Sequence, residues 1–453
     1  MARRTFSIGG VHPADSKISR DCKLEYLPIP PTVYIALSQH IGAPAKPVVA
    51  VGDKVKVGQV IAEPGAFMSA YIHSSVSGTV KSIGPRKDLS GNNQMVVEIA
   101  VEGDEWVDGI DRTDTLVTEI PDDPKGIIEK IKLGGVVGLG GATFPTHVKL
   151  SPPPGKTCEM LIINGCECEP YLTSDFRTLL EKGEQVVVGT AIIKKALGVA
   201  KATIAIEDNK PEAIKAMMEA VKGRDGVRVQ PLKTKYPQGG EKQLIEAITG
   251  RQVPSGGLPI DAHVVVLNVG TCAAIADAII DGKPLISRIC TVTGCVRQPA
   301  NLLLRIGTIT EDIIGACGGY SETPGKVVFG GMMTGMCIPN DQMPIAKSTN
   351  GIVVLNEKQA RSKDESPCIH CGRCVAACPI GLNPYQIKVA ADKSDFAAAQ
   401  KLHVMDCILC GSCAYECPSR RWLTPSFKFC KDHITAEAKA KAAAAAEKGG
   451  AKK

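Results

Sequence analysis

The sequence predicts a multidomain α/β protein, and three observations carry that reading. A chain of 453 residues exceeds the roughly 250–300 residues at which a single hydrophobic core stops growing, so three or four domains are expected. Apolar runs alternate with helix-like stretches through the middle of the chain. Two closely spaced cysteine runs lie near the C-terminal end. Hydrophobic residues make up 44% and charged residues 22%, ordinary globular usage that argues against disorder outside the ends.

The opening residues, MARRTFSIGGVHPADSK, lack the apolar stretch of a secretory signal. The most apolar window, HVVVLNVGTCAAIADAII, is interrupted by Asn268, Thr271 and Asp277 and falls short of the ~20 residues that span a bilayer. Any membrane association is therefore expected to be peripheral. Residues 47–80 carry GDKVKVGQVI and VSGTV, and this stretch resembles the flattened barrel of biotin- and lipoyl-carrying domains. The resemblance implies a barrel-sandwich hybrid within residues 1–120. Such domains carry a modifiable Lys at a hairpin tip, where this chain has Phe67, so a docking role is expected and no swinging-arm cofactor. Asp53, Lys54 and His73 read as solvated surface.

Residues 121–290 form the next expected unit. VVGLGGATFPTHVK (136–149) follows Gly134 and Gly135 and contains Gly138, Gly140 and Gly141, which permit close backbone approach to a phosphate or ring, while Lys149 adds a cation. A plain tight turn would explain such a loop nearly as well. The following runs MLIIN (160–164), ATIAIED (202–208), VRVQPL (227–232) and HVVVLNV (263–269) predict parallel strands. EQVVVGTAIIKKALG, PEAIKAMMEAVKG and GEKQLIEAITG predict the intervening helices. Parallel sheets bind ligands beyond the carboxyl ends of their strands, where this chain places NGCECEP (164–170), KYPQGGEKQ (235–243) and NVGT (268–271).

That set resembles the flavin and NADH site of the 51-kilodalton subunit of respiratory complex I. The resemblance implies a Rossmann-like domain in which Gly138, Gly140, Gly141 and Lys149 cradle the phosphate of a non-covalent FMN. By the same resemblance Asn164, Asn268 and Thr271 bond the flavin or its phosphate, and Phe144 and Glu169 face NADH. Tyr236, Gly239 and Glu241 fall on a related motif, and Glu167 stands where that subunit has Asp. Leu139 replaces an Arg of the loop, and Gly240 replaces the first of two adjacent glutamates. As plain sequence, Glu167 and Glu169 also read as solvated loop carboxylates. No side chain is expected to act as a catalyst, because hydride transfer takes place at the FMN.

Residues 291–356, beginning TVTGCVRQPANLLLRIGTIT, resemble the small β-grasp (SLBB-like) domain that follows the flavin domain in complex I. Met332, Met333 and Met336 read as core filler.

Residues 357–430 hold CIHCGRCVAACP (368–379) and CILCGSCAYECP (407–418), the pattern C-x2-C-x2-C-x3-C-P twice. Three thiolates of one run converge on a [4Fe–4S] cluster while the fourth, next to Pro, reaches the other cluster. Cluster one is then expected on Cys368, Cys371, Cys374 and Cys417, and cluster two on Cys407, Cys410, Cys413 and Cys378. Zinc shares the C-x2-C spacing, but not the duplicated x3-C-P. With both clusters fully ligated, outer-sphere electron transfer is the expected chemistry. The stretch between the runs is long enough for two short helices. Of the ten cysteines outside the runs, Cys22, Cys158, Cys272, Cys290, Cys295, Cys317, Cys337 and Cys430 read as small buried hydrophobes. Residues 431–453 form a Lys/Ala-rich tail, expected to be frayed helix or disorder.

The order of these units, with SIGGVHP (7–13) and LSQHIGAPAKPVVAVGDKV (37–55), is similar to the C subunits of Rnf electron-transport complexes. Membership implies an NADH:ferredoxin oxidoreductase subunit, peripheral on the cytoplasmic face of the membrane. It would exchange electrons between NADH and ferredoxin beside integral-membrane and ferredoxin-type partner subunits. A soluble reductase with the same modules, such as a cobalamin reductase, and a flavin-free relay scaffold are the alternatives. Nucleic acid is not an expected partner, since no basic stripe with interleaved aromatics is present.

Overall fold

The computed structural model describes residues 4–113, 115, 117–362 and 364–450. The four predicted parallel strands form one sheet in the order Val227–Leu232, Lys201–Glu207, Met160–Gly165 and Val264–Asn268. The chain starts this sheet at Met160–Gly165, builds outward on one side, then crosses back to add Val264–Asn268 on the other. The switch point therefore lies between Met160–Gly165 and Val264–Asn268, whose residues Asn164 and Asn268 are register partners. Burial of these strands on both faces explains their nearly unbroken apolar sequence.

Helices cover both faces. Helix Gly183–Leu197 crosses Val269–Ile280 so closely that a Cβ at Gly189 would collide with the carbonyl of Cys272. Helix Pro124–Leu133, started by the Asp123 side chain accepting from the Lys125 N–H, leads into the glycine loop.

Ahead of this unit, two small antiparallel sheets wrap Val33, Ile35, Ile61, Ile72, Val80, Val97 and Ile99 into a barrel-sandwich core. Phe67 stands at the expected hairpin position, 76% exposed. Lys54 is exposed and pairs with Glu102, and Asp53 accepts from the Ala50 N–H at 2.8 Å. His73, read as solvated surface, is buried with Nδ1 unpartnered. The barrel packs against the central domain at this position, and burial, with Lys347 nearby, holds its imidazole down to about 3.

The third unit is a six-stranded sheet backed by helix Thr310–Ala316. One of its strands is Leu24–Tyr26, which pairs parallel with Ala300–Arg305. Residues 4–26 thus lie outside the barrel and lace the molecule together, with Arg4 bridging Leu232 and Val11 bridging Tyr236. Met332 and Met333 are partly buried as expected, but Met336 is 39% exposed because its strand, Met336–Cys337, is the outer edge of this sheet. Cys337 beside it is likewise exposed, and Cys22 and Cys158 are half-buried; the other five cysteines read as core are buried.

The cysteine-bearing unit contains the two short helices expected between the runs, Pro384–Asp392 and Phe396–Lys401. Helix Leu423–Gly450 packs Leu423, Phe427, Cys430 and Ile434 onto it, so the boundary expected at 430 falls inside a continuous helix. Among the described residues no helix is long and apolar enough to cross a membrane.

Lys347 joins three units. Its buried ammonium donates to the Gly135 carbonyl at 2.7 Å and the Tyr71 carbonyl at 3.0 Å, and its own carbonyl accepts from Arg288. Burial alone brings its amine down to about 7, against ~10.4 in an unfolded chain. Between those values the unfolded chain binds a proton that the folded one lacks, so this group makes stability rise with pH from about 7 toward about 10. Lys347→Met is expected to flatten that rise, measured as the change in Tm between about pH 7 and pH 9; an unaltered slope would refute the assignment.

Candidate functional site: a glycine loop and two cysteine runs at the switch point

The glycine loop folds back on itself, the Gly138 N–H donating to the Phe144 carbonyl at 2.9 Å. The loop then closes over the start of helix Val269–Ile280. The Leu139 N–H donates to Thr271 Oγ1 at 2.9 Å, and a Cβ at Gly140 would lie 2.7 Å from Asn268 Nδ2. Asn268 caps this helix by accepting from the Gly270 N–H at 2.8 Å, and it donates to Asp175 at 2.7 Å. Burial, with Glu167 beside it, pushes the Asp175 carboxyl well up.

The loop suits an anionic cofactor by two tests. A Cβ at Gly141 meets nothing within 4 Å, and one at Gly138 meets only Phe144 atoms at 3.7 Å, so open space lies over the loop. The N–H groups of Gly140, Gly141 and Ala142 have no acceptor among the described residues, leaving three neighbouring backbone donors of the kind that hold phosphate. Lys149 nearby is engaged by Glu241 at 2.6 Å in a half-buried pair.

Asn164, near the end of the adjoining strand, donates to the Gly239 carbonyl at 2.9 Å, drawing the 235–243 segment to the same edge. Glu167 turns away from this edge. Its carboxylate accepts from Ser174 Oγ and from the N–H groups of Asp175 (2.8 Å) and Phe176 (3.3 Å), so it closes the start of helix Ser174–Glu181. Glu169 is not solvated either. Its carboxylate accepts from the Met333 N–H at 2.9 Å and from Thr334 Oγ1, with Tyr236 Oη 3.5 Å away, and burial raises its pKa.

Several residues here carry no mark in the sequence motifs. Arg288 is buried and donates to the Leu139 carbonyl at 3.3 Å, supporting the glycine loop from the neighbouring sheet. Lys17 gathers the carbonyls of Glu167, Glu169 and Leu172. Lys210 and Glu207 form a buried ion pair at 3.2 Å, and Lys210 reaches the Glu167 carbonyl. The motif IEDNKP at the end of a predicted buried strand is the available signal for that pair.

The cysteine runs meet the strand ends edge-on. Tyr236 Oη donates to the Cys410 carbonyl at 2.7 Å, and Gln243 Nε2 to the Pro379 carbonyl at 3.2 Å. Cys378, Cys407, Cys410 and Cys413 stand around one pocket walled further by Pro379, Leu409 and Phe427. Among the described residues no group of three or more thiols, imidazoles or carboxylates is placed to hold a single metal ion. Burial raises the thiols of Cys413 and Cys374, with the nearby Cys407, Cys410, Cys378 and Cys374 adding to the rise at Cys413, and Cys417 and Cys368 to that at Cys374. Burial pushes the Cys407 thiol up to about 11, a cost that bound iron would offset by stabilising the thiolate. Backbone N–H groups of Leu382, Leu409 and Arg421 approach the sulfurs of Cys378, Cys407 and Cys417 at 3.3–3.4 Å.

A parallel sheet with an anion-binding loop at its switch point, docked edge-on to a two-run cysteine unit, defines a redox subunit of the flavin and iron–sulfur class. Residues 131–277 match the family described as the Nuo51 FMN-binding domain, 5–105 the RnfC barrel sandwich hybrid domain, 289–336 the SLBB domain and 360–418 the 4Fe-4S dicluster domain. The chain is 48% identical over 87% of its length to the C subunit of the proton-translocating ferredoxin:NAD(+) oxidoreductase complex of Clostridium ljungdahlii, covering 86% of that protein. It is 44% identical over 95% of its length to the Na(+)-translocating counterpart of Acetobacterium woodii, covering 97% of it. It is 39% identical over 95% of its length to the C subunit of the ion-translocating oxidoreductase complex of Rhodobacter capsulatus, covering 84% of it. The chain belongs to the family of C subunits of ion-translocating ferredoxin:NAD(+) oxidoreductase complexes.

Proposed function

We propose that this chain exchanges electrons between NADH and the iron–sulfur partners of a membrane-bound, ion-translocating complex, sitting peripherally on its cytoplasmic face. FMN at the glycine loop would take up a hydride and release its two electrons singly, and each [4Fe–4S] cluster would carry one. The residues for each task follow from their surroundings. Gly140, Gly141 and Ala142 offer N–H donors to the phosphate, with Lys149 beside them. Asn268 and Thr271 hold the loop on its helix, and Asn164 keeps the 235–243 segment at the same edge. Phe144 and Glu169 would face the dinucleotide, as the resemblance to the complex I subunit implies.

The observation that carries this reading is the bond from Tyr236 to the Cys410 carbonyl, 2.7 Å long. It puts the strand-end site in direct contact with the four-thiol cavity. Cys371, by contrast, is exposed, and Ile369 beside it is 66% exposed. Cluster two is accordingly the inner station and cluster one the outer one, facing the next protein.

Flavin fluorescence after acid release separates this reading from a flavin-free relay, and co-purification with integral membrane subunits separates it from a soluble reductase. Because the 331–334 loop covers Glu169, a dinucleotide reaches that carboxylate only when Met333 and Thr334 release it. Glu169→Gln is expected to raise the NADH KM several-fold, about 1 kcal/mol of binding, while cluster absorption stays as in the parent. An unchanged KM would remove Glu169 from the dinucleotide site.

A further inference from the structure

Bonds from the rest of the fold reach the two cysteine runs unevenly. Tyr236 Oη donates to the Cys410 carbonyl at 2.7 Å, Gln243 Nε2 to the Pro379 carbonyl at 3.2 Å and the Gly10 N–H to the Ala377 carbonyl at 3.0 Å. A Cβ at Gly9 would press into the Cys378 carbonyl. Every one of these contacts falls on or beside Cys378 or Cys410. Among the described residues no donor from another domain reaches the carbonyl of Cys368, Cys371, Cys374 or Cys417.

Tyr236 is closely enclosed within this set. It is 4% exposed and packs with Val11, Ala377, Cys168, Met333 and Cys410. Its backbone pairs with Val11 on both sides, the N–H donating at 2.9 Å and the carbonyl accepting at 2.8 Å, so the ring has little freedom to turn. The phenol has one proton, and of its two neighbours the Cys410 carbonyl is nearer than Glu169 Oε1, 2.7 Å against 3.5 Å.

We infer that Tyr236 is a positioning residue for cluster two, its hydroxyl pinning the Cys410 loop to the strand-end site and raising that cluster's reduction potential relative to cluster one. The cause is electrostatic. A donor on the peptide of a cluster ligand draws density from the ligand and favours the form with one more electron, and in a buried site little water screens the effect. This inference rests on the ligand sets proposed above.

The test is a redox titration of the anaerobically reconstituted full chain, followed by EPR. Tyr236→Phe keeps the ring and removes the donor; the cluster-two midpoint is expected to shift to lower potential, with cluster one and the iron content unaltered. 3-Fluorotyrosine at position 236 keeps the bond and makes the phenol a stronger donor, so the cluster-two midpoint is expected to shift the other way. A residue that merely filled space would produce no shift with fluorotyrosine, and that variant alone decides the matter should the Phe variant fail to fold. Midpoints unaltered in both variants at full iron content would overturn the inference. Survival of cluster two in Cys378→Ser would instead overturn the ligand sets beneath it.

Discussion

Replacing Cys378 with Ser is expected to abolish the cluster of the second cysteine run and spare that of the first, although Cys378 lies in the first run. Cys378 lines the same pocket as Cys407, Cys410 and Cys413, and its sulfur already accepts from the Leu382 N–H at 3.3 Å. Serine offers a harder, less readily ionised ligand, and a four-iron cluster with three thiolates in a buried site is poorly held. Iron and acid-labile sulfide should fall by about half, since one of two equal clusters is lost. Cys417→Ser is the mirror experiment: it should delete the first-run cluster's EPR signal and keep the second. If each variant instead lost the cluster of its own run, the exchange of fourth ligands would be wrong.

The second large effect concerns the glycine loop, where two neighbouring glycines are expected to behave differently. At Gly140 a Cβ would meet Asn268 Nδ2, Cβ and Cγ at 2.7–2.9 Å. Asn268 cannot retreat without giving up its cap on the Gly270 N–H and its bond to Asp175. Gly140→Ala should therefore lower stability by about 1–3 kcal/mol through overpacking and cap loss, and weaken FMN binding by the ~10–100-fold that the same energy represents. At Gly141 a Cβ meets nothing within 4 Å, so Gly141→Ala should leave Tm within about 1 °C of the parent, an exposed change that touches nothing. If the phosphate occupies that space, the same variant should lose flavin affinity, read from the quenching of FMN fluorescence on titration. Retention of parental affinity in Gly141→Ala would place the phosphate elsewhere.

The sheet is legible in the sequence because its information is local. Strands Met160–Gly165, Lys201–Glu207, Val227–Leu232 and Val264–Asn268 are buried on both faces, and a strand in that setting must be apolar throughout. The two cysteine runs are legible for a similar reason, since the spacing of a run reports on one loop. Contacts between distant parts of the chain leave no such trace. Nothing in LEY at 24–26 says that it extends the β-grasp sheet, and nothing around His73 says that another domain covers it. Met336 departs from its core reading because a methionine in a run of small residues suits a core and a sheet edge equally. Glu167 and Glu169 share one motif but face different ways, one toward a helix start and the other under the 331–334 loop. Two residues apart, they would share one face of a continued strand, but the strand ends at Gly165 and only the segments packed against this turn decide what each meets. Arg288 shows the same limit: it comes from the β-grasp sheet to the carbonyl of Leu139, the loop position at which the complex I protein has Arg.

The most direct test of the electron route is rapid mixing of NADH with the anaerobically prepared full chain carrying FMN and both clusters, followed by absorption and freeze-quench EPR. Flavin absorption should be lost first and the cluster-two signal should develop before that of cluster one, with neither signal developing when FMN is left out. Cluster signals that develop equally fast without FMN, or cluster one leading cluster two, would contradict that route.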